Sequence, residues 1–315
     1  MKVLTFWVWA FGFAILKHIW ENHPKEKFYA YEVNEAITSS IRTNREHPFF
    51  FPWHKLPKNV KLLEEYESIL WSVDLIIIAV PAQYIKDLID RIAPRLSSGI
   101  VILNLAKWID IEHNKTISSL LEDSLKNITF EYCVFSGWVF AAELIEWKYL
   151  WADLWVTNRK VWNEVKKLLV SHNLDVMVQD HYLYIELYGS FKNIIAIMVW
   201  YYQWKWEWLS TISYHIFAFL EELKEVVKLY WWDADNIDFS SYSLWGDLIT
   251  TCFWDSRNRY LWRLLGSWKS IGDALTILKS ENKHSEWYET IKAIHKTIGS
   301  RGGFKITKLF YDLMT

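Results

Sequence analysis

A chain of 315 residues with a formal net charge of −2 and a pI near 6.6 has no global electrostatic attraction for nucleic acid or an anionic membrane surface. Its two cysteines, Cys133 and Cys252, count against a disulfide framework and suit a reducing cytoplasm, and no apolar run reaches the ~20 residues of an inserted membrane helix. One count is out of balance, 22 Trp against 10 Gly, where ordinary usage gives about 22 glycines.

Lys2–Phe6 reads as an apolar strand that follows Met1 directly, leaving no room for a secretory signal. Trp7-Val8-Trp9-Ala10-Phe11-Gly12 follows, and an amphipathic stretch begins at Phe13. With glycine at 7 and 9 this would be G-x-G-x-x-G between a first strand and a first helix, the dinucleotide fingerprint in its proper context. As written, two indoles stand where backbone must approach a pyrophosphate.

A second strand is predicted over 27–31. Glu32, 20 residues beyond Gly12, can bind the ribose 2′-OH of NAD and would repel the 2′-phosphate of NADP, although a solvated strand-end glutamate fits the pattern equally. Further strands are predicted over 74–80, 100–105, 130–135 and 152–157 and near 174–178. The continuous apolar runs at 74–80 and 100–105 suit strands buried on both faces of a parallel sheet. Ala79-Val80-Pro81-Ala82-Gln83 ends one such strand where ligands of open α/β sheets lie. Lys107, after the next strand, can reach a phosphate or the reacting oxygen, or be a plain surface lysine.

From about 181 long helical patterns take over, at 182–202, 211–230, 258–265, 270–279, 286–298 and 306–314. The expected organisation is an α/β dinucleotide-binding domain of Rossmann type over 1–180 and an all-α domain over 181–315, with the site between them. Lys192 and Asn193 interrupt an apolar helix, and burying a cation there calls for a partner or a function unless it snorkels to solvent. Asp247 in Gly246–Cys252 adds a carboxylate. Ser256-Arg257-Asn258-Arg259 adds an anion-binding cluster, arginine being suited to bidentate phosphate recognition.

Many tryptophans stand at turn positions, as in Pro52-Trp53-His54, Trp231-Trp232-Asp233 and Ser267-Trp268-Lys269. Turns with φ > 0 call for Gly or Asn and strain an indole. The reading that accounts for this is a UGA codon meaning glycine in the source organism and translated as tryptophan.

Taken in order along nearly the whole chain, these segments resemble the bacterial-type NAD(P)-dependent glycerol-3-phosphate dehydrogenases. The residues that carry the likeness are 7–12, Asn44-Arg45-Glu46, Phe51-Pro52-Trp53 with Lys55-Leu56-Pro57, and Ala79-Val80-Pro81. It continues through Ala106-Lys107-Trp108-Ile109, 136–141, 186–196, 246–252, 256–259, 286–290 and Ile306-Thr307. At 7, 9, 53, 108, 200, 204, 206 and 287 the family pattern has glycine where this chain has Trp.

The resemblance implies reversible reduction of dihydroxyacetone phosphate to glycerol 3-phosphate with NAD(H) or NADP(H), feeding phospholipid synthesis. It makes Lys192 the acceptor of the C2 hydroxyl proton, with Asp247 orienting it and Lys107 binding substrate and touching cofactor. Ser256, Arg257 and Asn258 complete the substrate site with Gly137 and Val139, the last replacing a usual hydroxyl residue. Trp7, Trp9, Ala10, Phe11, Gly12, Glu32, Ala141, Arg257 and Glu286 are placed at the cofactor. The segment Glu207–Ser210 lacks the family's Asp-Asn pair, and Ala218 stands where arginine is usual. A hydroxyacid or 6-phosphogluconate dehydrogenase shares the architecture but leaves Ser256-Arg257-Asn258 without a role. Genuine tryptophans would instead suit a non-catalytic binding protein. The oligomeric state, a homodimer among the options, and the choice between NAD and NADP stay open.

Overall fold

A computed structural model describes residues 1–106, 109–110, 115–180, 182–230, 242–246, 248–249, 252, 260, 264, 270–280 and 286–314. They divide into two compact units: Met1–Lys107 with Thr116–Ile185, and Trp108–Lys115 with Glu186–Thr315.

The first unit alternates strand and helix. In chain order it contains β1 (Lys2–Phe6), α1 (Ala10–Asn22), β2 (Lys27–Tyr31), α2 (Glu35–Asn44), β3 (Lys61–Leu62), β4 (Leu75–Ile78), α3 (Ile85–Ile92) and β5 (Ile100–Asn104). A small separate ribbon pairs β6 (Ile109–Asp110) with β7 (Lys115–Thr116). Then come α4 (Ile117–Ser124), β8 (Phe130–Trp138), α5 (Ala141–Ile145), β9 (Leu150–Val156), α6 (Arg159–Leu169) and β10 (Leu174–Val178).

The main sheet has the order β10-β9-β8-β5-β4-β1-β2-β3. Strand order reverses at β1, which pairs β2 on one side and β4 on the other, both in parallel. Crevices at such switch points take the ligand in open α/β sheets. Val3, Ile77, Leu103, Cys133 and Leu154 join Phe13, Leu16, Leu144 and Leu168 in one core under α1, α5 and α6. Their neighbours Leu4, Ile76 and Ile102 are also fully buried, so the central strands are covered on both faces. That double burial is why they read as unbroken apolar runs.

One departure from the expected parallel sheet is clear. β9 runs antiparallel to β8, and β10 follows β9 in parallel, so the last two strands are reversed. The connection between β8 and β9 holds only the short helix α5, too little chain for the crossover that a parallel return requires.

The second unit is helical among its described residues apart from the ribbon. α7 (Tyr182–Trp204) begins at the end of the first unit, and α8 (Leu209–Tyr230) follows. Later helices are α9 (Ile271–Ser280), α10 (Glu286–Ile298) and α11 (Lys305–Met314), and α8, α10 and α11 pack on one another. The buried run Ile194–Val199 gives α7 its apolar character. Glu222 of α8 clasps the start of α11: its carboxylate accepts the Ile306 N–H at 2.6 Å, the Thr307 N–H at 2.9 Å and the Thr307 hydroxyl at 2.8 Å. A buried anion is tolerated there because helix-start amides have no other partner and carry partial positive charge. Among the described residues no helix is long and apolar enough to cross a membrane.

Candidate functional site

The loop between β1 and α1 is the centre of the site in the first unit. The Trp7 N–H donates to the Tyr31 carbonyl at 2.9 Å, tying the loop to β2. Trp7 itself has φ +76°, a left-handed conformation in which a bulky side chain is an outlier. α1 then starts at Ala10 behind Trp9, whose side chain makes no capping hydrogen bond, and the first turn holds no acidic residue. The leading amides of α1 are thus left for an external acceptor, the arrangement that suits a pyrophosphate.

Gly12 is fixed by space. A Cβ built there would lie 2.0 Å from the Trp7 carbonyl oxygen and 3.1 Å from the Ala79 Cβ. Only glycine lets the helix press this closely against its own loop and against the end of β4, which is the third glycine's task in the fingerprint.

Glu32, directly after β2, is buried rather than solvated. Its carboxylate accepts the Val8 N–H at 2.7 Å and the Asn34 N–H at 2.9 Å. Burial pushes its pKa upward, and these backbone N–H groups pull the other way. Each oxygen retains acceptor capacity for a ribose hydroxyl.

The two indoles line the same loop. Trp7 stacks on Tyr84, with ring centroids 6.2 Å apart and planes 24° from parallel. Tyr84 lies in the turn that follows Pro81 at the end of β4, so this pair bridges the switch-point crevice. Trp9 packs against His47, Phe49 and Phe50 at 5.8, 5.9 and 5.3 Å. His47 accepts the Phe49 and Phe50 N–H groups at Nδ1, and burial lowers its pKa to about 4. The frame of strand, glycine, helix start and carboxylate fits a dinucleotide; the Trp7 ring across the crevice does not.

Among the other residues singled out in the sequence, Ala10 and Phe11 are half-buried at the start of α1. Gly137 lies on β8 at φ +151°, where a Cβ would meet the Ala152 Cα at 2.6 Å across the antiparallel pair. Val139 is buried just beyond it, and Ala141 opens α5, which packs on α1. One end of the sheet thus brings together residues 7–12, Glu32, Val139 and Ala141. Lys107, Asp247, Ser256, Arg257 and Asn258 lie outside the described residues. The backbones of Lys192 and Glu286 belong to α7 and α10, and their side chains lie outside the description. Sequence reasoning missed Tyr84 and His47. The loop at Ala79–Gln83 pointed to the first, one residue further on, whereas nothing local marked the second.

A family model described as the NAD-dependent glycerol-3-phosphate dehydrogenase N-terminus matches residues 8–160, and its C-terminal counterpart matches 183–315. The chain belongs to this family. It is 25% identical over 294 residues to a chloroplastic glycerol-3-phosphate dehydrogenase of Arabidopsis thaliana, covering 93% of this chain and 69% of that one. It is likewise 25% identical over 283 residues to an NAD(P)+ glycerol-3-phosphate dehydrogenase of Solidesulfovibrio magneticus, covering 89% and 84%. Among solved structures, the glycerol-3-phosphate dehydrogenase of Coxiella burnetii superposes with a TM-score of 0.82 at 17% identity, covering 99% of this chain and 94% of that one. The enzyme of Saccharomyces cerevisiae gives 0.83 at 20% identity, covering 100% and 95%. At such identities the structural likeness speaks for the fold: a parallel-dominated α/β unit followed by helices.

Proposed function

We propose that this dehydrogenase interconverts dihydroxyacetone phosphate and sn-glycerol 3-phosphate with NAD(H) or NADP(H), and works in the cytoplasm in glycerophospholipid synthesis. The observation that carries the reading is the β1–α1 cradle, with Gly12 pressed under the Trp7 carbonyl and Glu32 beside Val8, in a chain that both halves of the family match. Lys192 takes the proton of the C2 hydroxyl and Asp247 orients it. Lys107 touches substrate and cofactor. Ser256, Arg257 and Asn258 hold the phosphate, giving remote binding energy that positions C2. Gly137 and Val139 border the substrate, while Ala10, Phe11, Ala141 and Glu286 border the cofactor, which when bound supplies the hydride chemistry.

The same reading requires glycine at 7 and 9. Among the described residues six non-glycine positions have positive φ, and four of them are tryptophans: Trp7, Trp53, Trp147 and Trp206. Tryptophan is 22 of 315 residues, so chance does not concentrate it there. This supports a glycine codon read as tryptophan; UGG codons at 7, 53, 147 and 206 in the gene would overturn it. Taken literally, the Trp7–Tyr84 stack instead favours a chain that binds no dinucleotide.

The deciding experiment compares the literal chain with one carrying glycine at every tryptophan position, Trp7 and Trp9 among them, that the gene specifies by UGA. The glycine chain should oxidise NADH in the presence of dihydroxyacetone phosphate, and the literal chain should not. Lys192→Ala in the glycine chain should abolish turnover while NADH still binds. Retention of more than a few per cent of the rate removes Lys192 from the role of base.

A further inference from the structure

Asn104 closes β5 as a polar residue after the apolar run Ile100–Leu103, and it is fully buried. Its register partners are Ile78 of β4 and Val134 of β8. β5 runs parallel to β4, and β4 to β1, so Asn104 lies at the same end of the sheet as the β1–α1 loop. A buried amide is costly unless its groups are bonded, and here they turn back on the chain. The Ala106 N–H donates to the Asn104 Oδ1 at 2.9 Å. The Asn104 Nδ2 donates to the Ala106 carbonyl at 3.2 Å and to the Tyr132 hydroxyl at 3.1 Å. One side chain thus holds both the N–H and the carbonyl of a single residue, and buried Tyr132 anchors the amide from the neighbouring strand β8.

We propose that Asn104 is the positioning residue for Lys107, an inference that rests on the dehydrogenase reading above. The core has no use for an amide between Ile78 and Val134, where a valine would bring no polar group to satisfy. What the amide supplies is a fixed Ala106. The Ala106 carbonyl carbon is bonded to the Lys107 nitrogen, and a peptide group is planar. Holding that carbonyl therefore also sets the plane through which the chain enters Lys107. A lysine has a flexible four-carbon stem, which leaves its backbone as the part the fold can fix. An ammonium that must meet substrate loses much of its value when its root moves, since a misplacement of about 1 Å can cost about 100-fold in rate. Asn104 itself needs no contact with substrate; it acts through the lysine.

The test is a double-mutant cycle in the glycine chain, with Asn104→Ala, Lys107→Ala and the pair. It reads kcat/KM for dihydroxyacetone phosphate, and NADH binding by calorimetry. Asn104→Ala should lower kcat/KM about tenfold, chiefly through KM, and leave the Kd of NADH within about threefold. In the Lys107→Ala background the same change should cost less than about twofold, because the residue it positions is gone. Asn104→Asp keeps the acceptor for the Ala106 N–H, and its buried carboxyl regains a donor when protonated. Its rate relative to the parent should therefore recover as the pH falls from about 8 to about 6. Should Asn104→Ala fail to fold, that pH profile decides, and a flat ratio overturns the proposal. Equal losses with and without Lys107 overturn it too, since Asn104 would then act through the fold at large. So does an unchanged kcat/KM in Asn104→Ala when Lys107→Ala raises KM. No effect of Lys107→Ala instead sinks the Lys107 assignment and this inference with it.

Discussion

Trp53 and Trp206 offer the cleanest test of whether tryptophan belongs at the left-handed positions. Both have positive φ, 73° and 58°, and both indoles are almost wholly in solvent, 88% and 93% exposed. Replacing either by glycine therefore removes almost no packing. The left-handed conformation costs a non-glycine residue about 1–2 kcal/mol, and glycine relieves that. Against it stands the greater freedom of glycine in the unfolded chain, about 0.4–1 kcal/mol. The net effect is a gain of about 0.5–1 kcal/mol in each case, or about 1–4 °C in Tm for a unit of this size. Trp155 is the control. It sits half-buried in β9, and its indole N–H donates to the Asp180 carbonyl at 3.1 Å. Half of an aromatic burial is about 100 Å², worth about 2.5 kcal/mol, and glycine further weakens a strand, so Trp155→Gly should lose about 3 kcal/mol. Thermal unfolding followed by far-ultraviolet circular dichroism reads all three without depending on indole fluorescence. Trp53→Gly and Trp206→Gly both lowering the midpoint as Trp155→Gly does would refute the argument, because the tryptophans would then be unstrained where they stand.

Gly12→Ala should cost about 3 kcal/mol or more, because its Cβ would meet a backbone carbonyl that cannot move aside; an unchanged urea midpoint would contradict the close approach. Glu222→Ala should destabilise the helical unit by about 2–4 kcal/mol and release early amide exchange at Ile306 and Thr307, whereas exchange unchanged at those two amides would show the clasp to be idle. His47 is held neutral, with its pKa lowered from 6.5 to about 4, so the unfolded chain takes up the proton first. Stability is then full above pH 6.5 and falls as the pH drops toward 4, by at most about 3 kcal/mol. His47→Asn, whose Oδ1 can accept the same two N–H groups, should flatten that part of the pH profile, and a slope that persists assigns the titration elsewhere.

Much of the framework was legible because its signals are local. The apolar runs of β4 and β5 follow from burial on both faces, and the bounds predicted for β1, β2 and β10 coincide with the observed ones. α10 was bounded at both ends by its 3.6-residue period, and α7 runs two residues beyond the pattern, to Trp204. The direction of β9 was not legible, because a strand's own residues do not encode its polarity; the brevity of the α5 connection does. β3 was missed because two residues carry no period. In the site, the strand–loop–helix context exposed the cradle despite its tryptophans, since Gly12 and the flanking elements were intact. The burial of Glu32 was not readable, as it depends on the Val8 N–H reaching across from the loop after β1. The Trp7–Tyr84 stack is likewise a tertiary event between loops more than seventy residues apart.

The start of α1 is left without a side-chain cap, and a ligand seated there would tie the lifetime of the folded protein to its own supply. A helix with a serine or aspartate at that place holds its first turn closed unaided, at a gain of about 1 kcal/mol. Here a bound dinucleotide would complete the first turn from outside. A ligand present at 100 times its Kd adds about 2.7 kcal/mol to the folded state, and its depletion withdraws that. Proteases that cleave transiently opened chains would therefore clear the empty protein about a hundredfold faster than the loaded one, wherever opening is fast relative to cleavage. Abundance in a cell would then follow the dinucleotide pool with no dedicated regulator, through a loop that is finished only when it is occupied.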